Sequence, residues 1–455
     1  MPRKTPEDLD RGHLDAFARS FEYIFPGRDT VVLSLQDAGK VWERHKHLDR
    51  GRPKGAWDFA SRSFIAFLYP SSDKGPPKAA CSIRFETKPN DRDVNFARAF
   101  SKVFNEDYLR CADKLKTQEL WRTLRSTQFL RAIARISGFD SIDTSSWIQT
   151  MEGSMTLRYE GNAMQHAVIF FRHPHRAFQK FGRNLVQLSG KISIQQALLG
   201  EKWIRSVVDR KRVALVGSKA DHGGIVGLLS VSAIASETAT DSIVPHESLR
   251  VLRSTLTSTD LALVASPGGD LYVLLGSGEL FQKSQGRWRY INYASLYTEL
   301  QTHLSKEVAR AVLQAAIDIS FDGRGALLCV LDRQGDISQV VADHRKKDSA
   351  NAVLRTCLRG LRITDWQQSR LIQAAAATDG ATILTTGGRV LDIACMVQPP
   401  TAEILKQNGF DALRTFPGAR STAAWNASVF GTSIKVSADG PVSVWRHGKE
   451  IARVG

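Results

Sequence analysis

Two short stretches near the C-terminal end hold the residue types that nucleotide chemistry needs. The run Thr378-Asp379-Gly380-Ala381-Thr382-Ile383-Leu384 puts a carboxylate and a glycine at the mouth of an apolar strand. Gly418-Ala419-Arg420-Ser421-Thr422-Ala423-Ala424 puts a glycine and an arginine just before a run of small residues. A carboxylate can hold a divalent metal, glycine lets a phosphate approach the backbone, and arginine grips phosphate through paired hydrogen bonds. The same residues admit a plainer reading, in which Asp379-Gly380 is only a turn into a buried strand and Gly418-Ala419-Arg420 only a loop. Spacing alone leaves both readings open.

The flanking pattern supplies elements able to position such a site. Leu300, Leu304, Val308, Val312, Ala316 and Ile319 recur at helical spacing up to Asp322-Gly323, which predicts one helix packed on a sheet. Gly325 leads the apolar run Ala326-Leu327-Leu328-Cys329-Val330-Leu331, and residues 389–395 read as a further strand. A boundary near 295–300 makes 296–455 a domain of its own, with 1–295 an α+β region of one or two subdomains.

These features follow one another in the order of a diadenylate cyclase domain, which joins two ATP into cyclic di-AMP, and residues from about 311 onward resemble it. Asp379-Gly380-Ala381 is identical to that family's metal-site motif. Residues 418–424 align with its Gly-Thr-Arg-His-Arg-Ala-Ala signature, and Val436-Ser437-Ala438-Asp439-Gly440-Pro441-Val442-Ser443 resembles its closing segment. The resemblance implies an α/β domain, a mixed sheet covered by helices, working with Mg²⁺ or Mn²⁺. It assigns Asp379 to the metal and to activation of the 3′-hydroxyl, and Arg420 to phosphate. Gly380, Ala381, Gly418, Ser421, Thr422 and Ser437 would line the nucleotide. It also implies a homo-oligomer with facing C-terminal domains, because each domain supplies half of the reaction centre.

Ser421 and Thr422 stand where the family has histidine and a second arginine. Hydroxyls donate hydrogen bonds to phosphate but bring no charge, and losing those cations costs transition-state stabilisation. The expectation is a divergent diadenylate cyclase under an N-terminal sensor region, of the kind found before some bacterial members of the family. The alternative is a catalytically inactive module that reads ATP or a cyclic nucleotide.

An apolar fraction of 42% with 24% charged residues excludes a disordered chain. No run approaches the roughly 18 apolar residues of a membrane span. The opening Met1-Pro2-Arg3-Lys4 lacks the apolar core of a signal peptide, so a cytoplasmic location is expected. Cys81, Cys111, Cys329, Cys357 and Cys395 show no paired spacing and read as buried free thiols. A formal charge of +16 admits a nucleic-acid partner, the alternative being solvated basic faces. The basic residues cluster at 44–54, 172–183, 205–212 and 345–347, without the interleaved aromatics of a stacking platform.

In the N-terminal region, Leu14, Phe17, Phe21 and Ile24 predict an amphipathic helix, and strands are expected at 30–35, 64–69 and 79–85. Long helices are expected at 94–115, 117–136 and 178–199. A hairpin is expected between 155–159 and 167–171, and strands at 212–216 and 226–231. The glycine-rich segment between the last two lacks the lysine-hydroxyl ending of a P-loop and reads as a turn. Residues 261–290 predict a small antiparallel sheet leading into the C-terminal domain. His173 and His175 have a spacing open to a metal but lie among arginines, and Trp42, Trp57, Trp121, Trp147 and Trp203 read as core or interface residues.

Overall fold

The computed structural model describes residues 6–454 apart from 26–28, 49–52, 60–62, 70–76, 78, 85–88, 112–117, 160–161, 164, 210–211, 232–242, 343, 345–351 and 439–440. The chain falls into two compact units. One takes residues 1–239, 251–265 and 270–291, the other 240–250, 266–269 and 292–455. Both mix helices with sheets.

In the first unit, β1 (Asp29–Leu33), β2 (Gly55–Asp58), β3 (Ser63–Leu68) and β4 (Ala79–Arg84) form an antiparallel sheet in the order β1-β4-β3-β2. Helix α1 (Pro6–Ile24) buries Phe17, Phe21 and Ile24 at helical spacing, and the Phe21 ring meets Phe64 and Phe100. Helix α2 (Leu35–His45) is capped by Ser34, whose hydroxyl oxygen accepts from Asp37 N at 3.1 Å. Helices α3 (Asp91–Cys111) and α4 (Gln118–Ser137) pack together, followed by α5 (Ser141–Met155), started by an Asp140 cap.

A two-stranded ribbon, β5 (Arg158–Tyr159) and β6 (Asn162–Ala163), precedes an eight-stranded sheet. That sheet comprises β7 (Ala167–Phe171), β8 (Leu185–Ile192), β9 (Val213–Ser218), β10 (Gly224–Ser230), β11 (Leu261–Ala265), β12 (Leu271–Leu275), β13 (Leu280–Ser284) and β14 (Arg287–Ile291). Its order is β14-β13-β12-β11-β7-β9-β10-β8. Helices α6 (Pro174–Phe181) and α7 (Lys202–Val207) punctuate it, and α8 (Glu247–Thr255) straddles the division between the units in sequence.

Three expectations are corrected here. Residues 155–159 and 167–171 do not form a hairpin: every residue of β7 is buried, and the strand lies between β11 and β9. A short all-apolar run is a central strand more readily than a hairpin arm. The helix expected at 178–199 stops at Phe181, where Gly182 takes φ +49°, and the alternation of buried Leu185 with exposed Val186 belongs to β8. The strands at 261–290 are not a separate small sheet but half of the eight-stranded one, because β11 pairs with β7. Helix α5 was not anticipated.

In the second unit the single helix expected up to Asp322 is two, α9 (Tyr293–Gln301) and α10 (Lys306–Phe321). Ser305 caps α10 and restarts the helical hydrogen bonding. The sheet runs β17-β16-β15-β18-β19-β20. Its strands are β15 (Ala326–Leu331), β16 (Ala381–Thr385), β17 (Val390–Cys395), β18 (Gly431–Val436), β19 (Val442–Arg446) and β20 (Lys449–Val454). Only β15 and β16 are parallel, so the sheet is mixed. Around it lie α11 (Ile337–Val340), α12 (Ala352–Leu358), α13 (Trp366–Ala376), α14 (Ala402–Gln407) and α15 (Ala419–Ser428). Leu327, Cys329 and Leu331 share a core with Ile383, Ala424 and Trp425.

Cys81, Cys329 and Cys395 are buried thiols outside any disulfide, and burial pushes Cys81 and Cys329 up to about 12. Cys357 departs from the expectation and is exposed on α12, while Trp203 is 43% exposed. Among the described residues, no helix is long and apolar enough to cross a membrane.

Candidate functional site

The register of the six-stranded sheet decides which of the expected residues can meet. Leu327 pairs with Ala381 in the parallel β15–β16 ladder, and Ala326 pairs with Val436 in the antiparallel β15–β18 ladder. The starts of β15 and β16 and the end of β18 therefore lie at one end of the sheet. Gly325, Asp379-Gly380 and Ser437 are the residues just beyond those strand ends. Helix α15 packs on β15 and β18, and the Arg420 side chain in its first turn reaches Gly325. A Cβ built on Gly325 would lie 2.4 Å from Arg420 Nη1. The guanidinium thus rests in space that only a glycine leaves open.

Each residue has local reasons for its place. Gly418 takes φ +93° at the start of α15, a conformation that favours glycine. Gly380 takes φ +107°, and a Cβ there would come within 2.6 Å of Ala394 C and 2.7 Å of Cys395 N. The backbone of β17 therefore demands that glycine, whatever ligand approaches. Opposite it, Ala394 takes φ +51° at a register shift between β16 and β17. A non-glycine residue in that region marks strain, which concentrates at functional sites. Ala381 is buried, and its carbonyl accepts from Cys395 Sγ at 3.2 Å.

Asp379 is exposed, and its carboxylate has no partner among the described residues. The loop behind it is tied down: Arg324 Nη2 donates to Ala377 O at 3.2 Å, and Thr378 Oγ1 to Ala375 O at 2.6 Å. Among the described residues, no three His, Cys, Asp or Glu side chains are grouped to hold a metal ion. One open carboxylate does suit Mg²⁺ or Mn²⁺ that arrives on phosphates, since such ions keep water and phosphate as most of their ligands. The exposed pair His173 and His175 likewise gathers no acidic partner among these residues.

The two hydroxyls of the arginine loop have different employments. Thr422 Oγ1 accepts from Phe416 N at 3.0 Å and reaches Phe416 O at 3.4 Å, so it fastens the loop before α15. Ser421 Oγ accepts from Lys435 Nζ at 3.0 Å. Lys435 lies on β18 opposite Leu327 and places a cation beside Ser421. Sequence reasoning passed over it, because a lysine within a strand says nothing about which helix it faces. Ser437 is half-buried, with its backbone N–H donating to Pro441 O at 3.0 Å.

A second polar cluster in this unit was also missed. Asp392 on β17 receives Arg355 Nε and Nη2 at 2.8 and 2.7 Å, Arg359 Nη2 at 3.1 Å and His344 Nδ1 at 2.7 Å. Burial pulls this carboxyl up, but Arg355, His344 and Arg359 together hold it down at about 2. Its side chain is sealed from solvent, so the cluster braces β17.

The basic clusters divide similarly. Arg44 and His45 pair with Asp58, and Lys46 with Glu43. Residues 345–347 and 210–211 lie outside the described residues. Arg172, Arg176, Lys180 and Arg183 are exposed around α6. The glycine-rich segment after β9 is a turn, where a Cβ on Gly223 would strike the Trp147 ring and Trp147 Nε1 donates to His222 O at 3.1 Å. No protein-family model and no curated protein matches the chain.

Proposed function

We propose that residues 292–455 form a nucleoside-triphosphate site of the diadenylate cyclase kind, condensing two ATP into cyclic di-AMP under control of the N-terminal region. The observation that carries this reading is the convergence of Asp379-Gly380, Arg420, Ser421 and Ser437 on one end of the sheet. In the proposed reaction Arg420 and the Lys435–Ser421 pair bind the polyphosphate, and the 3′-hydroxyl of a second ATP, held by a facing domain, attacks the α-phosphorus. Pyrophosphate leaves, and the reciprocal attack closes the ring. A divalent ion carried on the phosphates would screen their charge and lower the hydroxyl's pKa. Asp379 offers that ion its carboxylate, and the glycine turn behind it fixes where the carboxylate points.

Thr422 favours a second reading, that of a nucleotide-binding module without catalysis. Its hydroxyl is committed to Phe416, so only one of the family's two replaced cations has a substitute. Incubating the full chain with ATP and Mn²⁺ and resolving products by mass separates the readings. Cyclic di-AMP that disappears in Asp379→Asn, with Tm unchanged, supports the cyclase. ATP binding with no product from the wild type supports the module, and neither binding nor product overturns both.

A further inference from the structure

The first unit holds a cleft that the proposed nucleotide site does not use. Its volume is about 380 Å³, and one wall is the face of α3 bearing Asn95, Arg98, Ala99 and Lys102. Those positions follow the i, i+3, i+4, i+7 spacing of a single helical face. In a helix of a packed domain such a face usually carries apolar residues towards a neighbour. Here it carries two cations towards open space. Arg135 from the end of α4 and Lys54 from the segment before β2 complete a ring of four positive side chains.

The ring is built, not merely crowded. Arg98 donates through Nε to Gly55 O at 3.2 Å, which fixes the guanidinium while its two Nη groups have no partner among the described residues. Lys54 Nζ sits 3.8 Å from the centre of the Tyr69 ring, a contact that holds the ammonium in place. Arg135 also reaches Glu106 Oε1 at 2.8 Å, and Lys102 is exposed without an ion pair among the described residues. Across the cleft, the turn between β12 and β13 presents Ser277 and the buried carboxylate of Glu279. The Ser277 hydroxyl donates to the Glu279 carboxylate, and the same carboxylate favours the charge of Arg253 nearby. Four cations against the carboxylates of Glu279 and Glu106 leave the cleft positive.

We propose that this cleft binds a small phosphorylated ligand, its phosphates on Arg98, Lys102 and Arg135 and a hydroxyl or amine donating to Glu279. The volume lies in the range of small-molecule pockets, and guanidinium groups match phosphate bidentately. The site stands independently of the reading given for the C-terminal unit.

The test is calorimetric titration of the full chain with pyrophosphate as probe. Lys102→Glu changes an exposed side chain and reverses its charge, so it should fold normally and weaken binding at least tenfold. Asn95→Trp, also exposed, narrows the cleft and should give the same loss. Arg420→Ala, in the C-terminal unit, should leave this binding in place. Equal affinity in Lys102→Glu and wild type, or a loss confined to Arg420→Ala, overturns the assignment. Tighter binding of a short DNA duplex than of pyrophosphate would also overturn it, making the cleft part of a nucleic-acid surface.

Discussion

Replacing Gly325 by alanine probes whether the entrance of β15 holds Arg420 in position. The new methyl would sit 2.4 Å from Nη1 and 2.8 Å from Cζ of Arg420, well inside van der Waals contact. Gly325 is not among the residues with positive φ, so alanine meets no backbone strain. The obstacle is the far end of a half-buried side chain, which can swing away. Folding stability should therefore stay level or rise by about 0.4–1 kcal/mol, as the unfolded chain loses freedom. Nucleotide binding should move the other way. A charge-assisted hydrogen bond to phosphate contributes roughly 1.5–3 kcal/mol, so ATP affinity should fall by about 10- to 150-fold. Calorimetric ATP titration beside a thermal melt reads both quantities. An affinity unchanged in Gly325→Ala, with Tm held or raised, would refute the placement of Arg420 as the phosphate grip.

Two further predictions concern carboxylates largely withdrawn from solvent in the same unit. Asp392→Asn leaves Arg355, 1% exposed, without its countercharge and should cost roughly 3–5 kcal/mol in urea denaturation at neutral pH. Because the native Asp392 is held near 2, below its ordinary 3.8, its contribution is present above pH 4 and disappears as the pH falls towards 2. A variant as stable as wild type at pH 7 would contradict this. Asp318 on α10 has the opposite sign: burial raises it to about 6, against Arg250 and the bonds from His246 N and Gln314. Its folded form binds a proton more tightly than the unfolded chain does, so stability falls as the pH rises from 4 through 6, by about 3 kcal/mol. Asp318→Asn should remove that decline, and a wild-type-minus-variant difference flat across pH 4–7 would show the reasoning to be wrong.

What could be read from the chain depended on how local the determining physics was. The helix that starts at Ala419 went unread, whereas the strand after Asp379-Gly380 was legible, because a turn glycine followed by an apolar run fixes its structure within a few residues. Lys435 was not, since its meeting with Ser421 depends on the β15–β18 register and on the packing of α15. Asp392 sat within a strand that was read correctly, yet its partners Arg355, Arg359 and His344 lie 37, 33 and 48 residues away in sequence. No periodicity reports such distances. The reading of 178–199 as helix failed for a different reason: Leu185, Leu188 and Ile192 satisfy a helical spacing, and the sheet pairing with β10 prevailed over it. Why Gly380 is glycine was likewise hidden, because the atoms that forbid a side chain there belong to the neighbouring strand.

Strand β15 is paired on both edges, parallel to β16 and antiparallel to β18, and every one of its six residues is buried. Its amides can meet solvent deuterium only through a large opening of the whole unit, so they set the ceiling of protection in an exchange experiment. The residues just outside the strand, Arg324-Gly325 on one ladder and Thr378-Asp379-Gly380 on the other, sit a few bonds away on exposed or half-exposed chain, where exchange is expected to be faster. The unit thus joins a sealed ruler to a solvent-facing tip. A molecule settling at that tip would slow the tip's labelling and leave the ruler unchanged, so occupancy is measurable without any knowledge of turnover.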